Sequence, residues 1–149
     1  MALKSQPTQG DHNLSRTSLT FALMDPPFES ERATSAMRLI EITCRRGYDV
    51  KVFDYEGSVL LPFTLQQTHA NAVHGRDADQ KNHPLTRVWI AELMALASAH
   101  GGTLDWVNCG LCVDERGAKE SIAGVRRGSP ADLVAFSAAS AGTLVIGTR

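Results

Sequence analysis

Four short runs of strand-forming residues, separated by stretches with helical spacing, constrain this chain more than any other feature. The runs are Leu19-Thr20-Phe21-Ala22-Leu23-Met24, Asp49-Val50-Lys51-Val52-Phe53-Asp54-Tyr55, Leu104-Asp105-Trp106-Val107 and Thr143-Leu144-Val145-Ile146-Gly147. After the first, Ser30 is placed to cap a helix in which Ala33, Ala36, Met37, Ile40 and Cys44 share one face, and Gly47 after Arg45-Arg46 supplies its stop. Before the third, Trp89, Ile90, Leu93, Leu96 and Ala97 line a second helical face, with Pro84 suited to its first turn and Gly101-Gly102 to its end. Before the last, Gly128-Ser129-Pro130 restarts the chain into a small-residue helix over Ala131 to Ala141. Strands joined through helices pair in parallel, through right-handed crossovers, with helices on both faces. The pattern predicts an α/β fold with a mainly parallel sheet of about five strands.

The 149 residues suit one domain with a real core that needs neither disulfide nor metal. Residues 1–17 are polar and aperiodic and read as a flexible arm, leaving 18–149 as the single folded domain. A net charge of −1 gives no electrostatic basis for binding nucleic acid or an anionic membrane. No apolar run is long enough to span a bilayer, and Met1 to Thr17 lacks the apolar segment of a signal peptide, so the cytoplasm is the expected location. Three cysteines, an odd number, argue against a disulfide-stapled scaffold. Between the clear elements, Glu56-Gly57 reads as a turn, Ser58 to Phe63 as a short helix or edge segment, and Thr64 to His83 as an exposed excursion. Short helical pieces are expected from Ala118 to Val125.

In a parallel sheet, ligands bind beside the loops at the carboxyl ends of the strands. Here those loops are Asp25–Ser30, Tyr55–Ser58 and Asn108–Gly117, and the last holds Asn108-Cys109-Gly110-Leu111-Cys112-Val113-Asp114-Glu115-Arg116-Gly117. Thiolate is the reactive form of cysteine, and a neighbouring guanidinium or free backbone N–H groups favour it. Arg116 and the N–H groups from Val113 to Gly117 are the candidate donors for Cys112. Cys44, on the apolar stripe of a helix, reads as a small buried hydrophobe.

Several chemistries fit a C-x-x-C pair. A structural zinc site wants four ligands, commonly two such pairs, and this chain has no second pair. A dithiol exchange site would use one cysteine to attack and the other to resolve. Sulfur transfer needs one reactive sulfur on Cys112, with Cys109 as relay or resolving thiol. The bland alternative pairs Asp114 with Arg116 at the surface, where it is worth little. Elsewhere, His69, His74 and His83 with Asp77 and Asp79 match no helix face and read as solvated loop residues. Glu29, Glu31 and Glu56 near strand ends would raise a thiol's pKa if they faced it. Trp89 and Trp106 read as core or interface anchors, Arg126-Arg127 is too short a basic run to imply nucleic acid, and no G-x-G-x-x-G follows a strand.

Cys-Gly-Leu-Cys-Val-Asp-Glu-Arg-Gly, then Gly124-Val125-Arg126-Arg127-Gly128-Ser129 and an apolar final strand, resembles the DsrE/DsrF-like family, and the likeness extends back to the Met24-Asp25-Pro26-Pro27 loop. That family includes sulfur carriers of bacterial sulfur oxidation and of transfer RNA thiolation. The resemblance implies a flavodoxin-like three-layer sandwich, a cytosolic location, assembly into trimers or hexamers, and a single persulfide-carrying cysteine that maps to Cys112. Two features depart from the family pattern: Cys109 adds a second thiol, and the Thr64–His83 stretch is long. They leave room for a thiol reductase or a rhodanese-like transferase. The expected function is therefore sulfur trafficking through Cys112, Cys109 and Arg116, without cofactor or metal, between donor and acceptor proteins or small sulfur compounds. The alternatives are a thiol–disulfide oxidoreductase and a ligand- or partner-binding module.

Overall fold

The computed structural model describes residues 16–67 and 85–147. The apolar runs become strands β1 (Ser18–Leu23), β2 (Asp49–Asp54), β3 (Leu104–Cys109) and, after a shorter β4 (Val125–Gly128), β5 (Gly142–Ile146). Between them lie α1 (Glu31–Arg45), a 3₁₀ turn (Glu56–Leu60), α2 (Thr86–Ala99), α3 (Gly110–Arg116) and α4 (Pro130–Ala138). The sheet has the order β4-β3-β2-β1-β5, and every neighbouring pair is parallel.

Successive side chains of a strand point to opposite faces, so the register fixes two cores. On one face Phe21, Val52 and Trp106 stand side by side, and α1 and α2 close over them with Met37, Ile40, Ile90 and Leu93. On the other, Phe53 and Val107 stand side by side, and α3 and α4 cover them with Val113 and Phe136. The result is a three-layer α/β sandwich. The helices after β2 and β3 leave on opposite faces, which opens a crevice at the carboxyl ends of those two strands. The 3₁₀ turn and its exit bridge this divide, since Val59 packs into one cluster and Leu61 into the other.

The helical stripes follow from spacing. Ala33, Ala36, Met37, Ile40 and Cys44 are all buried, Ser30 caps α1 by accepting from the Arg32 N–H at 3.3 Å, and Ser129 N–H donates to the Asp132 carboxylate at 2.8 Å behind Pro130 at the start of α4. Two expectations need correction. The segment after Ala118 is not helical: Ser121 bridges Phe63, Ile122 N–H donates to Pro62, and the chain then enters β4. The cysteine segment is not an open loop but the helix α3, ended by Gly117 with a φ of 66°, a left-handed conformation that glycine adopts without a Cβ clash. Pro84, most of the Thr64–His83 excursion and most of the 1–17 arm lie outside the described residues.

Ile40 has no exposed surface, so Ile40→Ala should cost about 2–5 kcal/mol, while Arg38→Ala on the open face of α1 should stay within about 0.5 kcal/mol. Urea unfolding midpoints of the two variants check this directly.

Candidate functional site

The ends of β1 and β2 are locked together before any thiol is considered. Tyr55 N–H donates to the Leu23 carbonyl at 3.1 Å and Ser58 N–H to the Met24 carbonyl at 3.0 Å, while Ser58 Oγ–H reaches the Leu23 carbonyl at 2.6 Å. Gly57 lies hard against the β1 loop: a Cβ there would stand 2.7 Å from Pro26 Cδ. In the same loop Asp25 is buried and held by Ser30 Oγ–H at 2.7 Å and Arg32 Nε–H at 2.5 Å. The loops after β1, β2 and β3 thus share one edge, as the strand pattern implied.

Cys109 is the last residue of β3 and Cys112 sits in the first turn of α3. Both are buried, with Cys112 keeping 8% of its surface open, in a cluster with Phe53, Val59, Val107, Val113, Ala118 and Phe136. Leu111, between them, is 71% exposed. The Cys112 sulfur receives one donor: the N–H of Glu56, at 3.2 Å, from the turn that follows β2. Glu56 holds a φ of 53°, a left-handed conformation that costs a non-glycine residue roughly 1–2 kcal/mol. The strained residue is the one whose amide reaches the sulfur.

The electrostatics do not favour the thiolate that Arg116 and the following N–H groups were expected to hold. Burial pushes the Cys112 thiol above its ordinary pKa, the Glu56 N–H pulls the other way, and the neighbouring Cys109 and the Glu56 carboxylate push it up again. Arg116 does not bond the thiol; it pairs with Glu56 at 2.8 Å and Glu115 at 3.5 Å. Its part is indirect, since it offsets the carboxylate that opposes ionisation of Cys112. The N–H groups expected from Val113 to Gly117 are replaced by one amide from another segment, because the chain after Gly110 is helical and uses its own donors internally. Cys44 has no exposed surface and its thiol is pushed up to about 11 by burial and then by Glu41, in keeping with a buried hydrophobe.

Sequence reasoning missed Arg127. Pairing of β3 with β4 sets Arg127 opposite Asn108 and Gly128 opposite Cys109. The Arg127 guanidinium lies over Gly110, where a Cβ would be 2.7 Å from Nε, and it forks onto both oxygens of Asp114. The hydrogen bond from Arg127 holds Asp114 below the usual carboxylate range. A side chain at Gly110 would displace the Arg127 guanidinium from this position. Asp114 pairs with Arg127, not with Arg116 as the bland reading had it.

Beside the thiols a pocket of about 320 Å³ opens between Pro26, Pro27 and Phe28 of the β1 loop and Leu60, Phe63 and Leu65. Leu60 and Phe63 also pack against the thiol cluster, so they form a wall common to both. Glu29 lines this pocket, and Glu31 lies in the first turn of α1. Trp106 is wholly buried and Trp89 partly so, both in the α1–α2 core. His69, His74, His83, Asp77 and Asp79 lie outside the described residues. Among the described residues no three His, Cys, Asp or Glu side chains gather as a metal site would require.

The model of the DsrE/DsrF-like family matches residues 17–145. Among solved structures, the crystal structure of the ychN protein from E. coli superposes with a TM-score of 0.66 at 17% identity, covering 87% of this chain and 98% of that one. The likeness supports the same sheet-and-helix architecture, consistent with a flavodoxin-like sandwich. A search of curated proteins finds no match.

A thiol whose pKa is raised by folding stabilises the fold fully below its unfolded pKa, and that contribution is lost as pH rises through the folded value. Glu56→Gln keeps the amide but removes the opposing charge, so alkylation of Cys112 by iodoacetamide should move to lower pH. Arg116→Ala should move it to higher pH. Peptide mass spectrometry of the alkylated Cys112 against pH measures both shifts; an unmoved profile in both variants contradicts the assignment.

Proposed function

The chain belongs to the DsrE/DsrF-like family, and on that footing we propose that it carries sulfane sulfur as a persulfide on Cys112, with Cys109 as relay or resolving thiol. Membership points to sulfur relay in general; the residue assignment rests on the geometry around Cys112. The observation that carries it is the Glu56 N–H aimed at Cys112 Sγ across the β2–β3 crevice, a fixed donor for negative charge on sulfur.

The Cys112 thiolate, its proton given up to solvent or to the leaving thiolate, attacks the outer sulfur of a donor persulfide. Its electron pair forms the new S–S bond, and the electrons of the donor's S–S bond leave on the donor thiolate. An acceptor thiolate then attacks the outer sulfur and returns Cys112 as thiolate, so the cycle involves no net oxidation. Cys109 as relay performs that second attack within the site. Cys109 as resolving thiol attacks the inner sulfur, releases hydrosulfide and leaves a Cys109–Cys112 disulfide that an external dithiol must reduce. The two thiols lie in one buried cluster, and Cys109 helps to push the Cys112 thiol up, which keeps the oxidoreductase reading in play as the second choice. In either case Leu111, exposed between the thiols, is the natural apolar contact for a donor or acceptor protein.

Assembly follows from the same surface logic. Among the described residues strand β5 has a neighbour on one side only, and Val145 (62% exposed), Leu144 and Val134 of α4 leave that edge apolar. This edge is the proposed contact between copies in a trimer or hexamer. No helix among the described residues is long and apolar enough to cross a membrane, and the cytoplasm is the proposed setting.

Incubation with polysulfide should add the mass of one sulfur atom to the wild type and to Cys44→Ser but not to Cys112→Ser. A cycling Cys109–Cys112 disulfide with no adduct would favour the oxidoreductase, and unreactive thiols would leave only a binding role. Val145→Asp should lower the sedimenting mass to that of a monomer; an unchanged mass places the contact elsewhere.

A further inference from the structure

Two buried oxygens beneath the thiol site have no hydrogen-bond partner among the described residues: Asp54 Oδ1 and Asn108 Oδ1. Their residues stand opposite each other as partners on β2 and β3, on one face of the sheet, with 0% and 2% of their surface exposed. The other polar atoms of both side chains are committed. Asp54 Oδ2 accepts from Trp106 Nε1–H at 2.6 Å, and Asn108 Nδ2 donates to the Val59 carbonyl at 3.1 Å and to Ser121 Oγ at 3.3 Å. A carbonyl only accepts, so the Asn108 amide cannot be turned over without losing that bond, and Oδ1 stays an acceptor. Two buried acceptors on residues paired across adjacent strands, one of them a carboxylate oxygen, would each forgo a partner at substantial cost.

We propose that one proton resolves both: Asp54 is carried as a neutral acid whose Oδ1–H donates to Asn108 Oδ1. The groups set around the carboxyl are Trp106 and Asn108 of β3, Ser58 of the 3₁₀ turn and Leu23 of β1, all uncharged. Of the titratable side chains next along the chain, Tyr55 packs with the cluster on the other face and the Glu56 carboxylate is bound by Arg116. Burial holds the Asp54 carboxyl well above the usual range, against the opposing pull of Trp106 and Ser58.

The pair has a consequence for the site. Asp54 lies two residues before Glu56, and Asn108 immediately precedes Cys109. The acid–amide bond ties the end of β2 to the end of β3 at the level from which the Glu56 amide and the Cys112 sulfur depart. Asp54 is thus a positioning residue for the thiol, and this holds whether or not Cys112 carries sulfur.

Infrared spectra at neutral pH should contain the carbonyl stretch of a protonated carboxylic acid in wild type, lost in Asp54→Asn. The asparagine can reproduce both hydrogen bonds, its oxygen to Trp106 and its N–H to Asn108, so its Cys112 alkylation rate should stay within about twofold of wild type. Asp54→Ala, which strands Asn108, should change that rate about tenfold. Absence of the band in wild type, or an Asp54→Asn variant as perturbed as Asp54→Ala, overturns the proposal. The infrared band reports on the acid alone, so a missing sulfur adduct leaves this test unaffected.

Discussion

The hydrogen bond from the Glu56 amide to the Cys112 sulfur joins segments 56 residues apart, and it exists only because β2 and β3 lie side by side in parallel. Parallel pairing brings both carboxyl ends to the same edge, and the divergence of the following helices leaves a gap there. The two large cores serve this arrangement. Phe21, Val52 and Trp106 under α1 and α2, with Phe53 and Val107 under α3 and α4, hold the two strands in register from both faces. A one-residue slip would turn Cys109 to the opposite face and carry the Cys112 helix away from its donor.

Within the site, burial and hydrogen bonding pull in opposite directions, and burial wins in the resting protein. The thiol is held above its ordinary pKa although an amide faces it. A thiol buried in this way is protected from oxidation, since exposed thiolates are the ones that oxidise. The balance is fine enough for nearby charge to matter. Arg116 acts by neutralising Glu56, and Arg127, drawn over Gly110 by Asp114, places a second cation beside Cys109. Each of these ion pairs is partly or largely exposed, so solvent screens it and it adds little to the fold. Their effect is on where charge sits, not on stability.

What could be read from the residues divides along physical lines. The α1 and α2 stripes and the four apolar strands were legible because burial on one face imposes a period, and Ser30, Ser129 and Pro130 mark helix starts by local chemistry. Strand β4 was not, because Val125-Arg126-Arg127-Gly128 has no apolar run; its arginines are satisfied by Asp105, Asp132 and Asp114, partners that only the folded sheet brings near. Helix α3 begins with glycine and spans seven residues, too short to announce itself by period, and it is held by the packing of Cys112 and Val113 on the sheet. The two cysteines were visible from spacing alone. The donor to Cys112, the role of Gly110 and the Asp54–Asn108 pair were not, since each depends on register between strands distant in sequence.

The most direct test is to locate the sulfur atom itself. Wild-type protein treated with a stoichiometric amount of polysulfide, trapped by alkylation and digested, should yield tandem mass spectra with the extra sulfur on the peptide fragment containing Cys112. Extra sulfur confined to Cys109 or Cys44, or found on no cysteine, would contradict the account.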